Sequence, residues 1–215
     1  MEKRYPDYDR AATMAYRCIT ALGVNRMPID PLFMLQKCRN VALKPYSALR
    51  EEARMSAWEF DRHVSMGQDA FVARRCRQGK VHYLVCYEDE GNPARRRFTL
   101  AHELGHIVLG HTDQGAYEEE EANHFAMHLL CPRPVLRQLE QQSAPLCAEQ
   151  IATMCFISVS CAMALERTKP CSVSPDLLRQ VNDLLAPAVQ AALEKQSFRY
   201  PYHHAVHYRP FFRSR

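Results

Sequence analysis

The stretch Arg95–His111, RRRFTLAHELGHIVLGH, decides how the rest of the chain is read. Its apolar pattern from Arg97 to about Leu109 is helical, and inside it His102, Glu103 and His106 form an HExxH motif. Residues four apart on a helix lie one above the other on the same face, so two imidazoles at that spacing can converge on one ion. Glu103 occupies the place from which zinc peptidases take a proton from the attacking water. In a chain of this composition roughly 0.03 such matches arise by chance, so the motif points to a zinc site with His102 and His106 as ligands and Glu103 as general base.

A catalytic zinc takes three protein ligands and keeps a position open for water. His111 is turned about 140° from His106 on a continuing α-helix and is not expected to join the site. The long variant HExxHxxGxxH is absent, because Leu109 and Thr112 stand where it needs Gly and His. A better source is the next helix, Glu118–Pro132, EEEEANHFAMHLLCP. There Glu119, Ala122, Asn123 and Ala126 share a face of mostly small residues suited to close helix packing, and a Glu at its head could point toward the His pair. At least two of Glu118–Glu121 are expected to form a solvated helix start favoured by the helix dipole.

Working outward, residues 7–22 carry an amphipathic stripe stopped by Gly23, and Asp30 caps a second helix with Pro31 at its first position. A strand is expected at Val41–Leu43, a helix over 47–59, and strands at Ala70–Ala73 and Val81–Tyr87, followed by a turn at Asp89–Pro93. After Pro134 the chain reads as all helical: about 134–141, 147–155, 159–167 and 175–195, the last interrupted by Pro187.

The 215 residues suffice for one domain with a sizeable core and a helical appendage. A hydrophobic fraction of 47% with 24% charged residues is ordinary for a globular protein, and a net charge of +4 gives no global argument for nucleic acid. The beginning, MEKRYPDYDR, has no apolar signal region, and no apolar run approaches the ~20 residues that span a bilayer, so the expectation is a cytoplasmic protein without a membrane partner. Nine cysteines, an odd number without CxxC spacing, read as reduced thiols, mostly small core residues.

The segments FTLAHELGH, Phe98–His106, and ExEANxFAxxLLxP, Glu119–Pro132, resemble the ImmA/IrrE zinc metallopeptidases of bacteria and their mobile elements. CFISVSCAMALER (155–167) is similar to that family's following helical segment, and Cys131 stands where the family usually has Met. The resemblance implies an α+β fold in which a small mixed sheet packs against the HExxH and Glu-bearing helices, with a helical C-terminal part. It also implies that Glu119 is the third Zn²⁺ ligand and that Asn123 orients a ligand through a hydrogen bond. The expected organisation is a metallopeptidase domain over 1–170, with motif helices about 97–131 and a helical part about 134–170. A helical extension over 171–198 and a basic, aromatic tail over 199–215 follow.

Such enzymes act on a helix-turn-helix repressor of a mobile element or stress regulon, so the resemblance implies an endopeptidase with a protein substrate. The alternative is a DNA- or partner-binding regulatory module, antitoxin-like, with a non-catalytic zinc site. Residues 147–167 read as two short helices joined by a tight turn, but the second offers no base-reading side chain before Arg167. In the tail, Arg199, Arg209, Arg213 and Arg215 alternate with Tyr200, Tyr202, Tyr208, Phe211 and Phe212, a mixture able to stack on bases. Direct nucleic-acid binding is therefore open but not favoured. For the group that stabilises the oxyanion, Tyr83, Tyr117, His124 and His128 are the conceivable candidates.

Overall fold

The computed structural model describes residues 5–113, 115–142, 145–168 and 170–194, and the tail 199–215 lies outside the described residues. Within them the chain is α+β, with three strands: β1 (Val41–Pro45), β2 (Ala70–Arg77) and β3 (Lys80–Tyr87). β3 is central, parallel to β1 and antiparallel to β2. The β2–β3 hairpin turns on Gln78 and Gly79, both at positive φ (51° and 73°), which matches the twist of a two-residue hairpin. β2 runs four residues beyond the expected Ala73, because Arg74–Arg77 pair through their main chain with Lys80–Tyr83 while their side chains stay exposed.

Alternation along the strands sorts the two faces of the sheet. Val85, with Leu43 and Val72 opposite it, joins the main core. Cys86, with Phe71 opposite, packs with Tyr46 and Phe60 in a smaller cluster on the other face. That second face is covered by α3 (Tyr46–Ala53) and α4 (Ala57–Phe60), which continues into a π-helical turn at Asp61–Ser65. A single helix over 47–59 was the expectation. It breaks because Arg54 takes a left-handed conformation (φ 53°) and Ser56 with Glu59 forms a capping box that starts a new helix.

The main core lies between helices. α1 (Tyr8–Ala21) has Asp7 as its cap, and in α2 (Pro31–Lys37) the Asp30 carboxylate accepts from the Leu32 and Phe33 amides. α5 (Pro93–Leu109) starts four residues before Arg97, because Asn92 caps it through the Ala94 and Arg95 amides and Pro93 suits its first position. α6 (Ala116–Leu130) packs between α5 and α1, burying Phe125, Ala126, Leu129 and Leu130. Its close approach to α5 rests on Gly105: a Cβ there would lie 3.0 Å from Phe125 Cδ1 and 3.3 Å from the Ala122 backbone.

α7 (Arg133–Gln142), α8 (Ala148–Cys155), α9 (Val159–Arg167) and α10 (Pro175–Glu194) complete the helical part. α10 packs on α7 and α1, so Val181, Leu185 and Val189 enter the main core. The expected interruption at Pro187 does not occur; the helix runs through it, with buried residues at four-residue spacing on both sides. No single helix among the described residues is long and apolar enough to cross a membrane. The α8–α9 pair passes that test only as two pieces bent by 115°, and its apolar residues Ile151, Cys155, Ala162 and Leu165 are buried in the protein.

Candidate metal centre

One turn of α5 carries His102, Glu103 and His106, and the first turn of α6 faces it with Glu119. The two Nε2 atoms of His102 and His106 lie 2.9 Å apart, and each is 3.3 Å from a carboxylate oxygen of Glu119. Donors about 2.0–2.2 Å from one tetrahedral zinc are separated by about 3.3–3.6 Å, so this trio has close to the spacing of such a site.

The hydrogen bonds behind the imidazoles set their tautomers. His102 Nδ1–H donates to Asn123 Oδ1 at 2.9 Å, which leaves His102 Nε2 with a lone pair. His111 Nε2–H donates to the Glu121 carboxylate at 3.0 Å, so His111 Nδ1 accepts from His106 Nδ1–H at 2.9 Å. His106 Nε2 is therefore also a bare lone pair. Two such lone pairs facing each other, with a carboxylate beside them, repel unless a cation lies among them. The donor set thus fits a divalent metal ion.

Electrostatics say the same. Where protons take the place of that cation on the two Nε2 atoms, the hydrogen bonds that His102 and His106 then donate hold the Glu119 carboxyl far below the usual carboxylate range. Burial opposes charge on His102, yet the hydrogen bond to Glu119, the charges of Glu103 and Glu119, and the bond to Asn123 together raise its pKa. Glu103 is buried and its pKa is pushed up by that burial, with the Glu119 charge adding to the rise and the two histidines opposing it. A carboxylate raised in this way is a better proton acceptor near neutral pH.

The site opens into a cleft of about 490 Å³ lined by His102, Glu103, His106, Glu119 and Asn123 on one side and by Gln68–Phe71 on the other. β2 is an edge strand of the sheet, so its start forms a wall of this cleft. None of Tyr83, Tyr117, His124 and His128, the conceivable oxyanion groups, lines it; beside the trio, Glu103 and Asn123, the polar side chains that do are Gln68, Asp69, Arg95 and Thr99. Arg95 is already engaged by Asp69 in an ion pair.

One expectation needs correction. Glu118–Glu121 are not mainly a solvated helix start: Glu118 and Glu121 are buried, Glu119 faces the histidines, and of the four only Glu120 is exposed. His111 lies beyond the end of the motif helix. α5 ends at Leu109, Gly110 turns left-handed (φ 71°), and the chain folds His111 back behind His106 as a support rather than a ligand. Glu121 fixes this support to α1, accepting from the Asp7 amide at 2.9 Å and lying 3.8 Å from Arg10 Nη1. The Gly after Leu109 was the available signal, because a C-terminal glycine ends a helix.

The helix pair, the edge strand and the two-histidine, one-glutamate trio together form a candidate metal centre beside an open strand edge. Residues 62–169 match the family described as the IrrE N-terminal-like domain, and the chain belongs to that family, of the ImmA/IrrE metallopeptidase type. Among curated proteins it is similar to the radiation response metalloprotease IrrE of Deinococcus radiodurans, at 32% identity over 109 residues. The match covers 43% of this chain and 33% of that protein, so the chain spans about a third of the length of that relative.

Proposed function

We propose that the chain is a zinc-dependent endopeptidase in which His102, His106 and Glu119 hold the ion, Asn123 orients His102, and Glu103 is the general base. The observation that most supports this reading is the pair of Nε2 atoms 2.9 Å apart with Glu119 closing the triangle. When bound, a zinc ion supplies a Lewis acid that acidifies water and polarises a carbonyl. The protein does the rest. The exposed edge of β2 offers main-chain groups to an extended substrate segment, which β-augmentation would hold across the cleft. Glu103 takes the proton of the attacking water and returns it to the leaving amine, and its burial keeps that proton from bulk solvent.

The substrate we infer is a cytoplasmic helix-turn-helix repressor of a mobile element or stress regulon, on the strength of the family resemblance. A second reading, DNA binding through α8 and α9, draws on their 115° bend, within the range of helix-turn-helix units. Against it, the exposed residues of α9 are Val159, Ser160, Met163, Glu166 and Arg167, which include no Arg, Lys, Asn or Gln for base edges before Arg167.

The test is to incubate the protein with helix-turn-helix repressors from the same genome, with and without a chelator. Chelator-sensitive cleavage is expected, and Glu103→Gln should lower it by about 10²–10⁴-fold while keeping metal and fold. Cleavage untouched by Glu103→Gln would remove the proposed mechanism. Salt-sensitive, zinc-independent DNA affinity without proteolysis would favour the second reading.

A further inference from the structure

α6 carries a second pair of histidines at four-residue spacing, His124 and His128, both buried and on the side of the helix that faces α1. Their Nε2 atoms meet one sulfur: Cys171 Sγ is 3.1 Å from His124 Nε2 and 3.7 Å from His128 Nε2. For zinc at about 2.0–2.1 Å from nitrogen and about 2.3 Å from sulfur, tetrahedral geometry puts N and S about 3.5 Å apart. The two distances straddle that value.

From these contacts we propose that His124, His128 and Cys171 form a second metal site, structural in role, that takes Zn²⁺ and fastens the segment before α10 onto α6. The reading does not depend on the function proposed for the first centre.

The far side of one imidazole is already fixed: Tyr16 Oη lies 2.8 Å from His128 Nδ1, the arrangement in which an outer partner aims a ligand nitrogen at its metal. Charge permits a cation. Asp9, whose carboxylate accepts from the Ser172 amide at 2.8 Å, acts electrostatically on both His124 and Cys171. Arg133 opposes it, but its Nη2 is spent on the Leu165 and Thr168 carbonyls at 2.5 and 2.8 Å. On ligation the Cys171 thiol releases its proton to solvent and binds as thiolate, so thiolate and Asp9 balance Arg133 and Arg137, the second arginine lining the same cavity, before the ion's own charge is added. A cavity of about 460 Å³ reaches His128 and Cys171 and leaves room for a water at a fourth position. The set lacks a carboxylate in the place Glu103 holds beside His102, which suits a fastening rather than a catalytic role.

Cys171 and Tyr16 lie outside the family match, which ends at 169, so this site ties family and flanking segments together. The experiment is Co²⁺ loading of the chelator-stripped full chain. About two Co²⁺ per chain are expected, with a thiolate-to-cobalt charge-transfer absorption in the near ultraviolet. Cys171→Ser should abolish that absorption and lower the count to about one. The His102→Gln/His106→Gln variant should keep both the absorption and one ion, and Zn²⁺ should still raise its Tm. A wild-type count near one without the absorption, or absorption unchanged in Cys171→Ser, overturns the proposal, and neither result touches the reading of the first centre.

Discussion

At the residue scale, the geometry of the proposed ligands depends on side chains that stand behind them. His106 is aimed by His111, and His111 by Glu121, a chain of two hydrogen bonds at 2.9 and 3.0 Å. Losing such an outer partner typically weakens metal binding about 10–100-fold without removing a donor. His111→Ala should therefore lower Zn²⁺ affinity by that range, read by competition with a chromophoric chelator, and Asn123→Ala should do likewise through His102. Glu120→Ala should change nothing at the metal, because Glu120 is exposed and its partner is the Tyr8 hydroxyl. An unchanged affinity in His111→Ala would show that the backbone alone holds His106 in place.

At the scale of elements, the centre exists because α5 and α6 come close enough for Glu119 to meet the histidines, and Gly105 permits that approach. Gly105→Ala gains up to about 1 kcal/mol of helix propensity but meets the Ala122 backbone and Phe125, an overpacking that costs about 1–3 kcal/mol. The expected net result is a lower Tm and, because α6 moves outward, weaker zinc binding. A variant with wild-type Tm and wild-type affinity would show that the helices have slack.

The contrast between what could and could not be read from the chain also lies at this scale. Helix stripes, the Asp30 cap and the HExxH spacing are local patterns, and α1, α2, β1, β3 and α6 fall within a few residues of their expected bounds. The break at Arg54 and the length of β2 rest on near neighbours, the Ser56–Glu59 capping box and the β2–β3 hairpin, whereas the burial of Glu121 depends on partners far along the chain, Asp7 and Arg10, the first 114 residues before it. No periodicity encodes those pairings. The cluster around Cys171 was hidden for the same reason: the cysteine read as one more core thiol, and only the fold brings it to α6, 47 residues away from His124.

At the scale of the whole molecule, burying neutral histidines makes stability depend on pH. Burial lowers His124 to about 4, helped by the Arg133 charge and opposed by Asp9. It lowers His128 to about 3, with His124 and Arg133 adding to the shift. The surroundings are Tyr8, Asp9 and Tyr16 from α1, Arg133 from α7, and Cys171. Both folded values lie below the unfolded value of about 6.5, so above that pH neither state is protonated and the pair leaves stability unchanged. As pH falls below about 6.5 the unfolded chain takes up protons that the folded chain refuses, and stability declines until pH passes about 4 and then 3. His111, also lowered by burial, adds to the decline, whereas His102, raised, opposes it. In chelator-treated protein, thermal melts followed by circular dichroism should thus show Tm dropping between pH 6.5 and about 4, before most carboxylates titrate. His128→Gln and His124→Gln should each flatten that slope. A flat profile in the wild type, or an identical slope in both variants, would mean that these imidazoles accept protons in place, and that the packing of α1 on α6 tolerates the charge.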